Sequence, residues 1–262
     1  VMTNLELEDR IAKGEKKIID SRSLVMIQCV GCRNKARNYC ARICCSQSVK
    51  NALKLRELNP GMDITVLFRD MRTYGFKEDY YRDASEKDVR FIRYEPEEEP
   101  LVEPFEEEGR RVLRVTVADP ILGKRLAIDA DHISLAAAVI PSAGTQEISR
   151  LFKVALNPDG FFQEAHVKLG PLDFPAEGIA LGGCAKSPKF VRDSLEEGMG
   201  AAMRVSIPMK RGYVEAAGIV AELDLEDCEH CGLCGKQCPY GAIQLSDQRE
   251  PSLLTALCKG CG

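Results

Sequence analysis

Eleven of the twelve cysteines in this 262-residue chain lie in three short stretches, and only Cys184 stands apart. Five fall within residues 29–45, four within residues 228–238, and the last two are Cys258 and Cys261. The N-terminus VMTNLELEDR is charged and unlike a secretory signal, so a cytoplasmic setting is expected. Disulfides are rare in that compartment, and clustered thiols there more often bind metal or carry redox chemistry.

The composition excludes two classes of partner. Apolar residues make up 45% of the chain, which is enough to bury a large core. The formal net charge is −4 without an obvious Lys or Arg stripe, so we expect no nucleic-acid partner. The longest apolar runs, such as ISLAAAVIP, are far shorter than the ~20 residues that cross a bilayer, so we expect no membrane span.

Strand and helix signals alternate through the first third of the chain. SLVMIQCV, DITVLFRD and DVRFIRYEP have the length and apolar content of strands. SQSVKNALKLRELN has apolar residues at helical spacing and is closed by Pro-Gly, and EDYYRDASEKD is predicted to be a polar helix. The β-α-β-α-β order predicts a parallel sheet with right-handed crossovers, and hence an α/β fold.

The next segments complete this first unit. EPEEEPLVEPFEEEG is acidic and contains proline, so we expect a solvated loop. RRVLRVTVAD and KRLAIDAD are predicted to be paired strands, and DHISLAAAVIP a closing buried strand.

A second unit is expected to begin near Ser142. Its segment GIALGGCAKSPKFVRDSLEEGMGAAMRV predicts a strand, a glycine-containing turn and a helix. MKRGYVEAAGIVAELD is a predicted connector to a small Cys-rich unit that starts near Leu223.

The segment CEHCGLCGKQCPYGAI contains CxxCxxCxxxCP, the pattern with which bacterial ferredoxins hold [4Fe–4S] clusters. CKGCG begins a second copy, and in two-cluster ferredoxins the fourth Cys of each run ligates the other cluster. The thiols thus split into two expected sets: Cys228, Cys231 and Cys234 for one cluster, and Cys238, Cys258 and Cys261 for the other. Neither set is complete by Gly262, as in a truncated fragment. A Cys₄ zinc site is the alternative.

The stretch QCVGCRNKARNYCARICC follows a strand and opens a helix, where dinucleotide-binding units carry GxGxxG. Only Gly31 is present, so we expect no tight NAD(P)H binding. Cys40 and Cys44 are four apart and are predicted to share a helical face, with Cys45 adjacent and Cys29 or Cys32 arriving from the strand end. On spacing alone, an iron–sulfur cluster, a zinc site and a redox disulfide all fit.

Seven motifs together resemble the heterodisulfide reductase family, specifically its flavin-containing A component, from about Leu24 to Gly262. They are IQCVGCR, YCARICC, VKNAL, VLFRDMRTYGF, VRFIRYEPEE, LNPDGFF and SPKF. The resemblance implies Rossmann-like, thioredoxin-reductase-type nucleotide- and flavin-binding domains plus a small α+β ferredoxin-like domain. The resemblance implies three domains. Residues 1–141 would form a pyridine-nucleotide-like α/β domain with a Cys-rich cluster site. Residues 142–210 would form the C-terminal part of an FAD-binding domain, and residues 211–262 a ferredoxin-like domain.

The resemblance also implies a function. FAD and [4Fe–4S] clusters would be the cofactors of an oxidoreductase component that transfers electrons toward disulfide reduction, in many members with flavin-based bifurcation. Its partners would be B- and C-type subunits and a hydrogenase or other electron-donor subunit, in a hetero-oligomer. The fragment alone is expected to be inactive.

The resemblance assigns ligands in the first cysteine stretch. The implied ligands of an unusual cluster are Cys29, Cys40, Cys44 and Cys45. The family has Ser in place of Cys32, so Cys32 is not expected to be a ligand.

The flavin contacts are likewise implied by the resemblance. Lys50 is expected near the flavin, where a cation would stabilise the anionic reduced ring. Gly182 and Gly183 are expected to approach the cofactor at the end of a late strand, and Cys184 to be a small buried residue. Because the first flavin-binding half with its GxGxxG is not in this chain, FAD should bind it weakly or not at all.

Several alternatives stay open on sequence alone. The chain could be a ferredoxin-like electron carrier on an inert α/β scaffold, part of a quinone-interacting sulfur-metabolism complex, or a zinc-stabilised interaction module. Asp70 and Arg72 end a strand where cofactors bind in α/β folds, and a surface loop or a flavin contact fits them equally.

Overall fold

The computed structural model describes residues 1–107, 109–176, 178–213 and 219–261. These residues form two compact units, Val1–Val139 and Ile140–Gly262. Part of the expected connector, residues 214–218, lies outside the described ranges. No helix within those ranges is long and apolar enough to cross a membrane.

The described residues of the first unit form eight strands and four helices. In chain order they are β1 (Met2–Thr3), α1 (Asn4–Ala12), α2 (Lys16–Ile19), β2 (Ser23–Val30), α3 (Cys44–Leu58), β3 (Asp63–Phe68), α4 (Lys77–Glu86), β4 (Arg90–Arg93), β5 (Leu101–Glu107), β6 (Arg110–Asp119), β7 (Lys124–Ala130) and β8 (His132–Ala137). Five strands form a parallel sheet in the order β1-β8-β2-β3-β4, and β5-β6-β7 form an antiparallel sheet. The parallel α/β sheet expected from the alternating pattern is confirmed, and so is the Rossmann-like fold implied by the resemblance.

Strand β2 is buried on both faces, which explains its continuous apolar sequence. Leu24 and Met26 pack with α1, α3 and α4 in one core cluster. Val25 and Ile27 point the other way and pack against residues of β6 and β7. The unit is therefore three layers deep: helices, parallel sheet and antiparallel sheet.

The prediction of a solvated loop for residues 95–109 is wrong for the second half of that segment, because β5 lies there. Val102 packs against the core shared by the two sheets, which gives the segment an apolar anchor. Its acidic residues stand opposite arginines: Glu103 pairs in register with Arg114, and Glu106 with Arg111. Opposite charges across a ladder stabilise the pairing, so the acidic composition favours this strand.

The second unit has less regular structure. Its elements are α5 (Thr145–Phe152), α6 (Val191–Arg211), α7 (Leu233–Gln237), β9 (Ile243–Leu245) and β10 (Pro251–Leu253), with 3-10 turns at Gly183–Ala185 and Thr255–Leu257. The strand expected at GIALGG is wrong, since only the isolated bridge between Asp173 and Ala180 forms there. The helix expected after it is confirmed as α6.

Truncating one buried leucine of α3 should destabilise the first unit. Leu55 is fully buried in the core cluster, so Leu55→Ala should lower the free energy of unfolding by about 2–5 kcal/mol. Leu58 on the same helix is 41% exposed, so Leu58→Ala should change it by less than about 0.5 kcal/mol. Denaturant unfolding followed by circular dichroism measures both, and equal losses would contradict this packing.

Candidate metal centres

Cys29 lies at the carboxyl end of β2, where the strand departs from regular geometry. The pairing of β2 with β8 shifts register between Ile27 and Val30. Cys29 has a φ of 61°, a left-handed conformation that costs a residue with a Cβ about 1–2 kcal/mol. This irregularity places the Cys29 side chain among other thiols instead of in the sheet core.

Helix α3 begins at Cys44, so Cys44 and Cys45 lie in its first turn. Cys40 precedes the helix, and the expectation that Cys40 and Cys44 share a helical face is wrong. The reason is local: Arg42 has a φ of 62°, and a right-handed helix cannot continue through a left-handed residue.

The five thiols nevertheless come together at one edge of the parallel sheet. Four of them are at most 4% exposed and pack with two alanines in one cluster: Cys29, Cys32, Cys44 and Cys45 with Ala41 and Ala136. Cys40 is half-buried. Cofactors bind at the carboxyl ends of strands in open α/β sheets, which is where this cluster lies.

Hydrogen bonds between thiols divide the buried cysteines into donors and acceptors. Cys32 donates to Cys29, and this bond, together with the cation of Arg33, lowers the pKa of Cys29 to about 6. Cys44 donates to Cys45 and so lowers the pKa of Cys45. Donation and burial raise the pKa of Cys32 and of Cys44. Since the thiolate is the form that binds metal, the lowered pKa values of Cys29 and Cys45 favour the metal-binding form of these two thiols.

Arginines surround the thiol cluster at the ends of β2 and β3. Arg33 donates from Nη1 to the Cys29 sulfur at 3.9 Å and from Nη2 to Asp70 at 2.5 Å. Arg69 is buried, donates from Nη1 to the Arg33 carbonyl at 2.7 Å, and lies 5.3 Å from the ring centroid of Tyr94. These contacts hold positive charge beside Cys29.

Arg33 and Arg69 were not among the residues expected from sequence, although their neighbours were. Asp70 lies between Arg33 and Arg72, with its carboxylate 2.5 Å from the first guanidinium and 3.7 Å from the second. Nη2 of the Arg69 guanidinium donates to the Glu99 carboxylate at 3.1 Å. Arg69 could have been predicted from its position in the sequence. It directly follows β3, and the carboxyl ends of parallel strands meet at one edge of the sheet.

A thiol-lined cavity of about 400 Å³ lies in the C-terminal part of the second unit. Its lining includes four cysteines and several apolar residues: Cys234, Cys238, Cys258 and Cys261 with Ile219, Val220, Ile243 and Leu253. Cys228 and Cys231, expected beside Cys234, are not in this lining.

Backbone N–H groups already donate to sulfurs at these sites. Ala242 donates to Cys238 at 3.3 Å, Ala221 to Cys258 at 3.2 Å, and Arg42 to Cys40 in the first unit at 3.2 Å. Hydrogen bonds to ligand sulfurs and exclusion of solvent are the protein's means of tuning iron–sulfur clusters. Across the described ranges, no three or more His, Cys, Asp or Glu side chains are arranged to hold a metal ion as they stand. The donor chemistry of both thiol groups fits an iron–sulfur cluster, whose irons are each bound by a separate thiolate.

The residues expected to contact the flavin interact with other residues of this chain. Lys50 forms an ion pair with Glu8 of α1. The N–H of Gly183 donates to the Glu197 carboxylate at 2.8 Å. A Cβ at Gly182 would lie 3.3 Å from the Glu197 backbone, so α6 passes close to this turn. These residues do not by themselves make an FAD site.

Cys184 was expected to be buried, and this is wrong: it is exposed on the 3-10 turn Gly183–Ala185. The expectation assumed a sheet strand just before it, and that strand is not formed. Its sulfur donates to the Lys189 carbonyl at 3.8 Å.

Substituting one glycine should test whether the cavity must keep its shape to bind iron. Gly260 lies between Cys258 and Cys261 with a φ of 57°, and a Cβ there would lie 2.6 Å from the Ile219 carbonyl oxygen. Gly260→Ala should therefore lower the iron and sulfide bound per chain after anaerobic reconstitution. Gly123→Ala has a similar φ of 60° with nothing within 4 Å, and should leave the metal content unchanged. Full iron content in both variants would contradict the close approach.

Comparison with known proteins agrees with these observations. Residues 221–244 match the family model of the 4Fe-4S binding domain. The expected [4Fe–4S] binding domain around Cys228–Cys238 is thereby confirmed at the level of the domain.

Similarity to curated proteins extends over nearly the whole chain. It is 37% identical to the iron-sulfur A component of the CoB--CoM heterodisulfide reductase of Methanocaldococcus jannaschii, over 93% of this chain and 38% of that protein. It is 35% identical to the A component of the H(2):CoB-CoM heterodisulfide,ferredoxin reductase of Methanothermobacter thermautotrophicus, over 94% of this chain and 38% of that protein. The chain thus spans well under half the length of these relatives.

Among solved structures, the thioredoxin reductase of Lactococcus lactis is similar over 77% of this chain and 57% of that one, with 16% identity and a TM-score of 0.49. Similarity at this level carries no argument about cofactors. The sequence relationship is much stronger, and it shows that this chain belongs to the family of heterodisulfide reductase A components.

Proposed function

We propose that this chain is the electron-transferring part of a cytoplasmic A component of the heterodisulfide reductase type. Electrons would pass among an iron–sulfur centre on the first-unit cysteines, the [4Fe–4S] centres of the ferredoxin-like part and the flavin of the whole A component. One observation carries the proposal: four buried cysteines pack together at the carboxyl edge of a parallel sheet, with the half-buried Cys40 beside them, in a chain that also contains a 4Fe-4S binding domain.

The structure supports separate roles for the five thiols of the first unit. We propose Cys29, Cys40, Cys44 and Cys45 as ligands of one cluster. Cys32 is the thiol that donates to Cys29 and whose pKa is raised, so it stays protonated when its partner is ionised. A group that donates to a ligand sulfur acts as an outer partner that orients the ligand and tunes the centre.

Two ligand sets are proposed in the ferredoxin-like part. One set is Cys228, Cys231 and Cys234, and the other is Cys238, Cys258 and Cys261. The second set is supported by the cavity, whose lining includes all three of its residues together with Cys234 of the first set.

FAD and the partner proteins belong to the proposal for the whole A component. FAD would be bound mainly by groups other than those of this chain, because Lys50 and Gly183 are engaged with Glu8 and Glu197. Disulfide reduction itself would be carried out by B- and C-type subunits in a hetero-oligomer.

Names of the relatives support a variable electron donor. One relative is named for H(2), another for H(2) or formate, and a third for ferredoxin as the reductant of the heterodisulfide. Some names also include two acceptors, heterodisulfide and ferredoxin, which is the pattern of electron bifurcation. We therefore propose a hydrogenase or another donor protein, and branching of electrons to two acceptors, for the full assembly.

The proposed ligand set makes the five thiols unequal. In a variant whose six ferredoxin cysteines are replaced by alanine, Cys32→Ser should keep the iron content and the reduced-cluster EPR signal. Cys44→Ser in the same background should lose both, because it removes a ligand from the buried first turn of α3. Anaerobic reconstitution, iron and sulfide analysis and EPR after chemical reduction measure the outcome.

Two results would count against the proposal. Stoichiometric zinc with no iron–sulfur absorbance would indicate a structural metal site. Loss of the signal in Cys32→Ser with retention in Cys29→Ser would show that the two thiols at the end of β2 have the opposite roles.

A further inference from the structure

The loop between β2 and α3, residues 31–43, is strongly cationic. Four of its side chains are basic and none is acidic: Arg33, Lys35, Arg37 and Arg42. No Asp or Glu occurs between Asp20 and Glu57. The chain as a whole has a formal charge of −4, so positive charge is concentrated on the segment that carries Cys32 and Cys40.

Only part of this positive charge is neutralised by neighbours. Arg33 pairs with Asp70, and the nearby acids Glu95 and Glu99 are paired with Arg93 and Arg69. The three remaining cations of the loop are exposed, and the described ranges contain no ion pair for them: Lys35, Arg37 and Arg42.

The loop presents these cations in a fixed shape. The Asn34 side chain accepts from the N–H groups of Ala36 and Arg37 at 3.1 and 2.8 Å, and the Asn34 N–H donates to the Arg37 carbonyl at 3.1 Å. The hydroxyl of Tyr39 donates to the Val139 carbonyl at 2.9 Å and anchors the base of the loop. A preorganised surface loses little conformational entropy when a partner binds.

This loop is also where the thiol cluster meets solvent. Cys40 is half-buried, whereas the other four thiols of the cluster are at most 4% exposed. The backbone N–H of Arg42 donates to the Cys40 sulfur at 3.2 Å, so the loop backbone contacts the most accessible thiol of the cluster directly. A molecule that contacts the loop at Cys40 therefore comes close to the cluster.

We propose that residues 31–43 form the docking surface for an acidic iron–sulfur electron-carrier protein. This inference rests on the proposed function of the thiol cluster as a redox centre. Complementary charge is the argument for the partner: an acidic protein surface is attracted to exposed cations and is steered toward the point of closest approach. The exchange would be of one electron: the carrier's reduced cluster would be oxidised and a cluster held by the first-unit cysteines would be reduced, with no bond made or broken and no proton moved.

Charge reversal at the tip of the loop tests the docking surface. The probe is a reduced plant-type [2Fe–2S] ferredoxin, mixed by stopped flow with the whole chain after its clusters have been reconstituted. Lys35→Glu/Arg37→Glu should lower the second-order rate constant at low ionic strength by about tenfold or more, because steering scales with local charge. At high salt the wild type and the variant should converge. Equilibrium titration of oxidised ferredoxin should show the same loss of affinity.

The matched control reverses two lysines at the other end of the sheet. Lys16 and Lys17 of α2 are exposed and line a surface depression with His132, which begins β8. Lys16→Glu/Lys17→Glu makes the same change in net charge, and should alter the rate constant by less than about twofold. An equal loss in both variants would show that net charge alone steers the carrier and would overturn the proposal.

Chemical reduction separates this inference from the proposed function. If dithionite produces no reduced-cluster signal from the first-unit cysteines, the proposed function fails, while the ferredoxin titration still decides whether the loop docks an acidic carrier. If the signal forms but Lys35→Glu/Arg37→Glu changes neither rate nor affinity, the docking surface is refuted. The proposal would also be refuted if the chain bound a short RNA but not ferredoxin, and if Lys35→Glu/Arg37→Glu abolished that RNA binding.

Discussion

The burial of β2 on both of its faces is the constraint on which the first unit depends. A strand packed between helices and a second sheet can change direction only after its last buried residue, and here that point is Cys29. The left-handed conformation of Cys29 stores strain that the surrounding layers maintain. The same packing that stabilises the sheet therefore fixes the first thiol of the candidate centre.

A buried polar network joins the remaining elements to this strand. The hydroxyl of Ser48 on α3 accepts from the side-chain amides of Gln28 at 2.6 Å and Asn4 at 2.7 Å, and Ser134 of β8 donates to Asn4 at 2.5 Å. Such groups must find partners inside the protein, so the network allows few relative positions of α1, α3, β2 and β8. Because Ser48 lies one turn after Cys44, it also positions the first turn of α3 against the end of β2.

Periodicity made the parallel sheet predictable, and local exceptions account for what was not. The apolar patterns of β2, β3 and β8 are typical of strands, and the apolar pattern of α3 is typical of a helix. Segment β5 was missed because its acidic residues suggested solvent, whereas their stabilising partners are arginines on β6. Helical spacing between Cys40 and Cys44 was misleading because the left-handed Arg42 interrupts the helix, and nothing in a one-dimensional pattern shows that. The role of Arg69 depends on contacts with Arg33 and Tyr94, which are distant in sequence.

The closed turn at the tip of the loop between β2 and α3 has a consequence for how such sites are recognised. The backbone N–H of Arg33 donates to the Tyr39 carbonyl at 3.1 Å, and the chain between these two residues folds back on itself. Insertions or deletions within that turn would change the length of a surface hairpin without moving the thiols at its base. Proteins with a longer or shorter turn would therefore keep the same strand end and the same helix start. A search pattern with fixed spacing would miss them, whereas one anchored on the strand end and the paired cysteines of the helix would not.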